Sequence, residues 1–367
     1  MRASLLGAGA IVALALGAGC SGERDTAAPA SPAQAAPVAT NGALVFARPV
    51  GGDLARRYEL VQTDNRGTAA TRFARRLFPD DYVAVSPDGT TVAFTRPART
   101  GKGAWELGSP HDIFLAPASG GEPRRLDRTR IDERAPRFSD DSRWIVYSHS
   151  IGRETSSVGI SELGNPGPWD VISRNGDESG GSWGPGSHRV LYTHGSFLNG
   201  EYDLYVTDAD TGEVTRIPNT SEYRGGSWTP TGEIVVTTID EAIRPAETSV
   251  WLLAGDGSER RLVATTLGRL EHGLAFAPDG GAMALGLDFK DAGARVVSFM
   301  LGDAPVDLAA AMGVPGWSPL WSPDGTTIAF LRGSGVWLMD ADGGDLRRVE
   351  GSQGAERLVA WLAEPGG

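Results

Sequence analysis

A single cysteine, Cys20, in a chain of 367 residues excludes a disulfide framework, which needs paired thiols. Histidine is scarce too, with five in all, so metal or acid–base chemistry built on imidazole has few residues to draw on. The 34 basic residues face 46 acidic ones, a formal charge of −12. That balance argues against a nucleic-acid partner, whose phosphates demand clustered Lys and Arg. After residue 16 no apolar run is long enough to cross a bilayer. What the chain holds in quantity is glycine, 50 residues without a G-X-Y period, which points to a turn-rich fold and away from collagen. With 40% hydrophobic residues it can fill a core, as a disordered chain cannot.

The first 19 residues read as a leader. Arg2 supplies a positive charge, Leu5 to Leu16 an apolar core too short to span a membrane comfortably, and Gly17-Ala18-Gly19 the small residues before a cut. This resembles a bacterial lipoprotein signal, which implies that Cys20 is lipidated and becomes the mature N-terminus. Losing Arg2 with the leader takes the formal charge from −12 to −13. Residues 20–41, rich in Ala, Pro, Ser and Thr with no apolar period, are expected to tether the lipid to the folded part.

From residue 42 to 367 the chain repeats. Trp321-Ser322-Pro323-Asp324-Gly325 precedes Ile328-Ala329-Phe330; Val85-Ser86-Pro87-Asp88-Gly89 precedes Val92-Ala93-Phe94; Phe276-Ala277-Pro278-Asp279-Gly280 precedes Met283-Ala284-Leu285. Weaker copies start at Phe138, Trp183 and Trp228. The proline column falls at 87, 140, 185, 230, 278 and 323, a step of 45 to 53 residues that matches a propeller blade. Within each unit a short strand ends in the aromatic phrase, Asp-Gly turns the chain, and a β-branched run returns. A third strand such as Val336–Met339 and a fourth such as Leu346–Val349 follow. Leu358–Trp361 looks like a first strand without successors, and Leu44–Arg48 like a second strand without a predecessor. Joining them makes a composite sheet and closes the ring. The expected fold is all-β: one propeller of seven four-stranded blades.

These phrases are similar to the propeller repeats of the TolB-like family, whose signature is W-S-P-D-G followed by I-A-F, and the similarity covers nearly all of the chain after the tether. It implies a propeller scaffold; no cofactor is expected.

Several local patterns invite chemistry. Gly180-Gly181-Ser182-Trp183-Gly184 matches G-x-S-x-G, but a serine-hydrolase nucleophile needs a strand-to-helix turn, and Ser182 falls in a first strand. The acidic turns Asp340–Gly343 and Asp208–Gly212 lack the bidentate Glu of a calcium loop and read as hairpins. More suggestive is the residue ending each second strand: Arg48, Arg96, His149, His194, Thr238, Leu287 and Arg332. Either these side chains simply tolerate water at strand ends, or five of seven blades bring a cation or imidazole to one rim that gathers anions. Five residues before the repeat aromatic stand Glu133, Glu178, Glu271 and Glu356, a pattern that suits ion pairs between blades. Trp105, Phe197, Tyr223 and Trp317 are expected in loops on the same face, where aromatics could stack a sugar or grip a peptide.

Two functions follow. The first is a lipid-anchored module on the cell envelope, periplasmic or extracellular, that binds an envelope protein or glycan without catalysis; a monomer is expected, with no metal. The second is a metal-assisted lyase or hydrolase of an acidic saccharide. Some polysaccharide lyases resemble this repeat type and hold a metal through histidines, and here His149, His194 and His272 would be the ligands or bases.

Overall fold

The computed structural model describes residues 41–50, 57–63, 70–77, 82–97, 110–119, 121–126, 132–151, 155–164, 170–171, 181–196, 201–221, 223, 225–240, 242, 247–267, 269–289, 293–308 and 313–364. The leader, Cys20 and the tether before Asn41 lie outside them. Every regular element among the described residues is a strand, and the strands form seven antiparallel sheets. The first blade runs Val83–Val85, Thr91–Pro97, His111–Pro117, Arg124–Arg125; the second Asp132–Phe138, Trp144–Ile151, Thr155–Glu162, Asp170–Val171. The third comprises Ser182–Trp183, Arg189–Ser196, Glu201–Asp208 and Val214–Arg216; the fourth Gly226–Trp228, Ile234–Asp240, Glu247–Leu253 and Arg260–Leu267. Arg269–Phe276, Ala282–Phe289, Gly293–Met300 and Val314–Pro315 form the fifth, and Trp317–Trp321, Thr327–Arg332, Gly335–Asp340 and Arg347–Arg348 the sixth. The seventh is composite: Arg357–Ala363 pairs with Asn41–Val50, followed by Arg57–Thr63 and Ala70–Leu77.

The expected seven-bladed propeller is therefore the fold, with one addition to its four-stranded plan. Val306–Asp307, in the chain of the fifth blade, leaves that sheet and pairs in parallel with Arg260–Leu267 of the fourth, which becomes five-stranded.

The repeated phrase has a mechanical basis. Ser322 donates from Oγ to Asp324 Oδ1 at 2.6 Å, the Thr326 amide donates to the same oxygen at 3.0 Å, and the Thr327 amide donates back to Ser322 Oγ at 3.0 Å. Gly325 sits at φ +72°, a left-handed position that glycine takes without strain. The aromatic of the phrase clips neighbouring blades: Trp183 Nε1 donates to the carbonyl of Arg137 at 3.0 Å, and Trp321 Nε1 to that of Ala275 at 3.2 Å.

Second strands are apolar on both faces because both faces are covered. In Asn41–Val50, Leu44 and Phe46 pack with Ala329, Leu331, Val336 and Leu338 of the sixth blade, while Val45 and Ala47 pack with Val85, Val92 and Phe94 of the first. Alternate residues of one strand thus serve opposite neighbours, which is why the sequence shows continuous β-branched and aromatic runs there.

Candidate functional site

The innermost strands carry the feature that shapes the centre. Four of them shift register, and in three the shift falls at a bulge between Arg134 and Arg137, between Leu270 and Leu274, and between Trp317 and Leu320. In each of these three, a residue three before the repeat aromatic takes positive φ, namely Ala135 (51°), Gly273 (90°) and Ser318 (55°). A bulge re-aims the side chains beside it. Here it opens a cavity of about 1440 Å³ lined by the first and second strands of five consecutive blades, a set of neighbours available only around the propeller axis. Its wall displays the hydroxyl-bearing residues Ser148, Thr193, Ser227, Thr237 and Thr238, the ring of Tyr82, and one charge, Arg137.

Arg137 follows the bulge at Ala135 and is itself open to solvent within the cavity. The surrounding walls displace part of its water and pull its guanidinium below the ordinary arginine value, with Tyr82 acting in the opposite sense. Nη1 donates to the carbonyl of Gly181 at 3.4 Å, and no carboxylate pairs with it among the described residues. Gly181 can approach only because it has no side chain: a Cβ there would come within 2.5 Å of Val190 and 2.7 Å of Val146. Arg137 was not among the residues singled out from sequence, yet a signal exists. The position just before the repeat aromatic reads Ala84, Arg137, Ser182, Ser227, Ala275, Leu320 and Ala360, and Arg137 alone is charged.

The column at the ends of the second strands is mostly engaged in packing. Arg48 Nε donates to Glu59 Oε1 at 2.6 Å and its Nη1 to the carbonyl of Gly351 at 3.1 Å. Arg96 lies 4.8 Å above the Phe94 ring and 5.1 Å from Phe114; burial lowers its pKa, and Glu122 partly restores it. Arg332 covers Trp337 at 4.8 Å, and His194 meets Tyr205 edge-on at 5.4 Å. His149 is 2% exposed and stands opposite Glu133 in the ladder, which makes it an interior residue and not a rim group. In the first and sixth blades the second-strand arginine thus stacks on an aromatic of the third strand, and in the third blade the histidine does so.

The acidic column and the aromatics divide in the same way. Glu133, 1% exposed, accepts the Ile113 amide of the preceding blade at 3.2 Å, and Glu356 accepts the Tyr58 hydroxyl at 2.6 Å. Glu178 and Trp105 lie outside the described residues, as do Phe197 and the side chains of Glu271 and His272. Tyr223 corrects the loop expectation: it is 1% exposed, packed among Leu191, Leu204 and Ile217, and accepts from Arg260 Nη1 at 3.3 Å, so no ligand can stack on it. Trp317 belongs to an innermost strand and packs against the cluster containing Leu44 and Phe46, because the bulge after it turns the strand inward.

Ser182 has a structural partner set. Its Oγ is 3.1 Å from Ser227 Oγ and accepts the Trp228 amide at 3.2 Å, linking the third and fourth blades at the channel wall. The turn at Asp208 is closed by amides of Asp210 and Thr211 donating to Asp208 Oδ1, as in a hairpin. Among the described residues no three His, Cys, Asp or Glu side chains are placed to hold a metal.

His188, on the opposite face, joins two blades. Nε2 lies 2.9 Å from Asp141 and Nδ1 2.8 Å from Asp210, so both ring nitrogens must carry protons for both contacts to be hydrogen bonds. Partial desolvation pulls the imidazolium down, but the bonds and charges of Asp141 and Asp210 outweigh it and hold its pKa above 6.5. Desolvation likewise raises the Asp141 carboxyl, while donors from Ser139, Arg143 and His188 bring it to about 2. The His188 contribution to stability is complete below about pH 6.5 and is lost as pH rises through the higher folded value; that of Asp141 is complete above about pH 4 and is lost toward pH 2. His188→Gln is therefore expected to cost more stability at pH 5.5 than at pH 9, by about 1 kcal/mol after solvent screening. Equal losses at both pH values in thermal unfolding would contradict the pairing.

No family model matches the chain, and no curated protein does. Among solved structures, TolB from Acinetobacter baumannii is similar at 16% identity, with 85% of this chain and 81% of that one covered and a TM-score of 0.48. A putative 6-phosphogluconolactonase from Bacteroides uniformis is similar at 12% identity, 85% and 96% coverage and a TM-score of 0.56. The β-propeller domain of the Trilobed protease from Pyrococcus furiosus, described as having an open velcro topology, is similar at 14% identity, 83% and 98% coverage and a TM-score of 0.54. In this chain the strands Asn41–Val50 and Arg357–Ala363 do pair, and the fold it shares with the latter two structures is the β-propeller.

Proposed function

We propose that the protein is a lipid-anchored, extracytoplasmic binding module that engages an envelope protein or glycan through the face on which its second strands end. The observation that carries this reading is the axial cavity at that face, lined by hydroxyls, two tyrosines, aliphatic side chains such as Val236 and Ile239, and one cation. A concave, preformed site with a few convergent polar groups suits recognition. Of the residues that had suggested chemistry, Ser182 and the turn at Asp208 are occupied in holding blades or turns together, and His149 is buried. Arg332, half-buried over Trp337 at the end of the second strand of the sixth blade, offers a second point of contact on that face.

Anchoring rests on the leader and Cys20. Cys20→Ala is expected to shift the protein from the washed membrane fraction to the soluble extract in cell fractionation; retention at the wild-type level would reject the anchor. For the binding face, Arg332→Glu should weaken capture of envelope components by about tenfold in a pull-down from solubilised envelopes. Undiminished capture would place the partner elsewhere.

A further inference from the structure

We propose that Arg137 anchors a site for a carboxylate-bearing, hydroxyl-rich small ligand, a sugar acid, inside the axial cavity. This rests on the binding reading and gives it a ligand chemistry. The first support is charge. Arg137 is the only charged residue among the described residues lining the cavity. Among the described residues it has no carboxylate partner, and desolvation already weakens its hold on its proton. The cations of the second-strand column lie against their own partners, Arg48 on Glu59 and Arg96 on two phenylalanines, and Asp112 and Asp203 are held within their own blades by Arg125 and Arg216. Arg137 thus faces the cavity with no anionic partner among the described residues. One guanidinium, whose fork matches the two oxygens of a carboxylate, suits a single negative charge; a phosphate dianion calls for a second donor of positive charge.

The second support is the wall. Hydroxyl residues from the second, third and fourth blades ring the cavity, and Tyr82, 39% exposed, presents its ring to it from the first. Hydroxyls both donate and accept, as a sugar's own hydroxyls require, and an aromatic face packs on the C–H side of a pyranose. A cavity of about 1440 Å³ exceeds the volume of one sugar, leaving room for a short oligosaccharide. The third support is precision. The bulge that aims Arg137 is built from Ala135 at φ 51°, a left-handed conformation that a non-glycine residue adopts only under constraint.

The test is isothermal titration of the full folded domain with galacturonate and glucuronate as probes, against glucose, methyl glucuronate ester, inorganic phosphate and a short acidic peptide. Binding of the free sugar acids, with at least tenfold weaker binding of the neutral sugar and the ester, is expected. Arg137→Met should raise the sugar-acid Kd by at least tenfold while the unfolding midpoint stays at or above that of the wild type, since the partly desolvated charge is gone. Arg137→Lys, which keeps the charge and loses the fork, should bind between the two and serves if the methionine variant fails to fold. Absence of sugar-acid binding, equal binding by both variants and wild type, or tighter binding of phosphate or peptide would each overturn the proposal. A variant at Arg137 that still captures its envelope partner would leave the binding module standing and remove only the sugar-acid site.

Discussion

Deleting residues 357–367 should abolish cooperative folding, or lower the thermal midpoint by more than 10 °C, although the deletion removes only one regular strand, the seven-residue Arg357–Ala363. That strand closes the ring. It pairs Leu44 with Trp361, Val45 with Ala360, Phe46 with Leu358 and Ala47 with Arg357, and the Glu356 amide donates to the carbonyl of Ala47 at 3.0 Å. Its Leu358 and Trp361 cover a cluster that includes Leu44 and Phe46, both wholly buried. Uncovering a large apolar side chain costs about 2 kcal/mol. Two such residues and a lost ladder bring the penalty to the order of 5 kcal/mol, comparable with the whole stability of many domains at about 5–15 kcal/mol. The strand Asn41–Val50 would also become an open edge, inviting association. Circular dichroism melting with size-exclusion chromatography checks this, and a truncated chain that melts at the wild-type temperature as a monomer would show that the ring needs no closure.

The ring, its blade number and its composite closure were legible in the sequence because each blade repeats the same physical problem. A turn needs Ser, Asp and Gly at fixed offsets, as Ser322, Asp324 and Gly325 show, and a strand covered on both faces needs an unbroken apolar run, as in Ile328–Leu331. Repetition multiplies such signals. The site was less legible because it depends on departures from the repeat. The column containing Arg96, His194 and Arg332 is regular, and its regularity reflects stacking on Phe94 and Phe114, Tyr205 and Trp337. Tyr223 is placed by sequence in a connecting segment, but only packing against Leu204 and Ile217 reveals that the segment is tucked inside. Arg137 stands out only when the column before the aromatic is compared across blades. Its direction depends on a bulge at Ala135, a residue with no composition cue for positive φ.

Gly159 shows the reverse case, a glycine whose reason lies across the sheet. It occupies the third strand of the second blade opposite Tyr147, whose ring is fully buried among Ile113, Phe138 and Ile145. A Cβ at Gly159 would stand 2.7 Å from Tyr147 Cε2 and 2.8 Å from Cζ. The neighbours Val158 and Ile160 are apolar and buried, so strand propensity alone would favour valine at 159, by up to about 1 kcal/mol. Overpacking decides otherwise. Forcing a rigid ring out of a filled core costs about 1–3 kcal/mol, and Tyr147 cannot yield without pressing on the first blade. Gly159→Val is therefore expected to destabilise by about 2 kcal/mol, whereas Tyr147→Ala alone should cost about 3–5 kcal/mol by leaving a cavity. In the double variant the valine occupies part of that cavity, so its total loss should fall short of the sum by at least about 1 kcal/mol. Urea unfolding of the four proteins measures this coupling. Strict additivity, or a Gly159→Val protein as stable as the wild type, would mean that the ring and the backbone opposite it do not share the space the geometry assigns them.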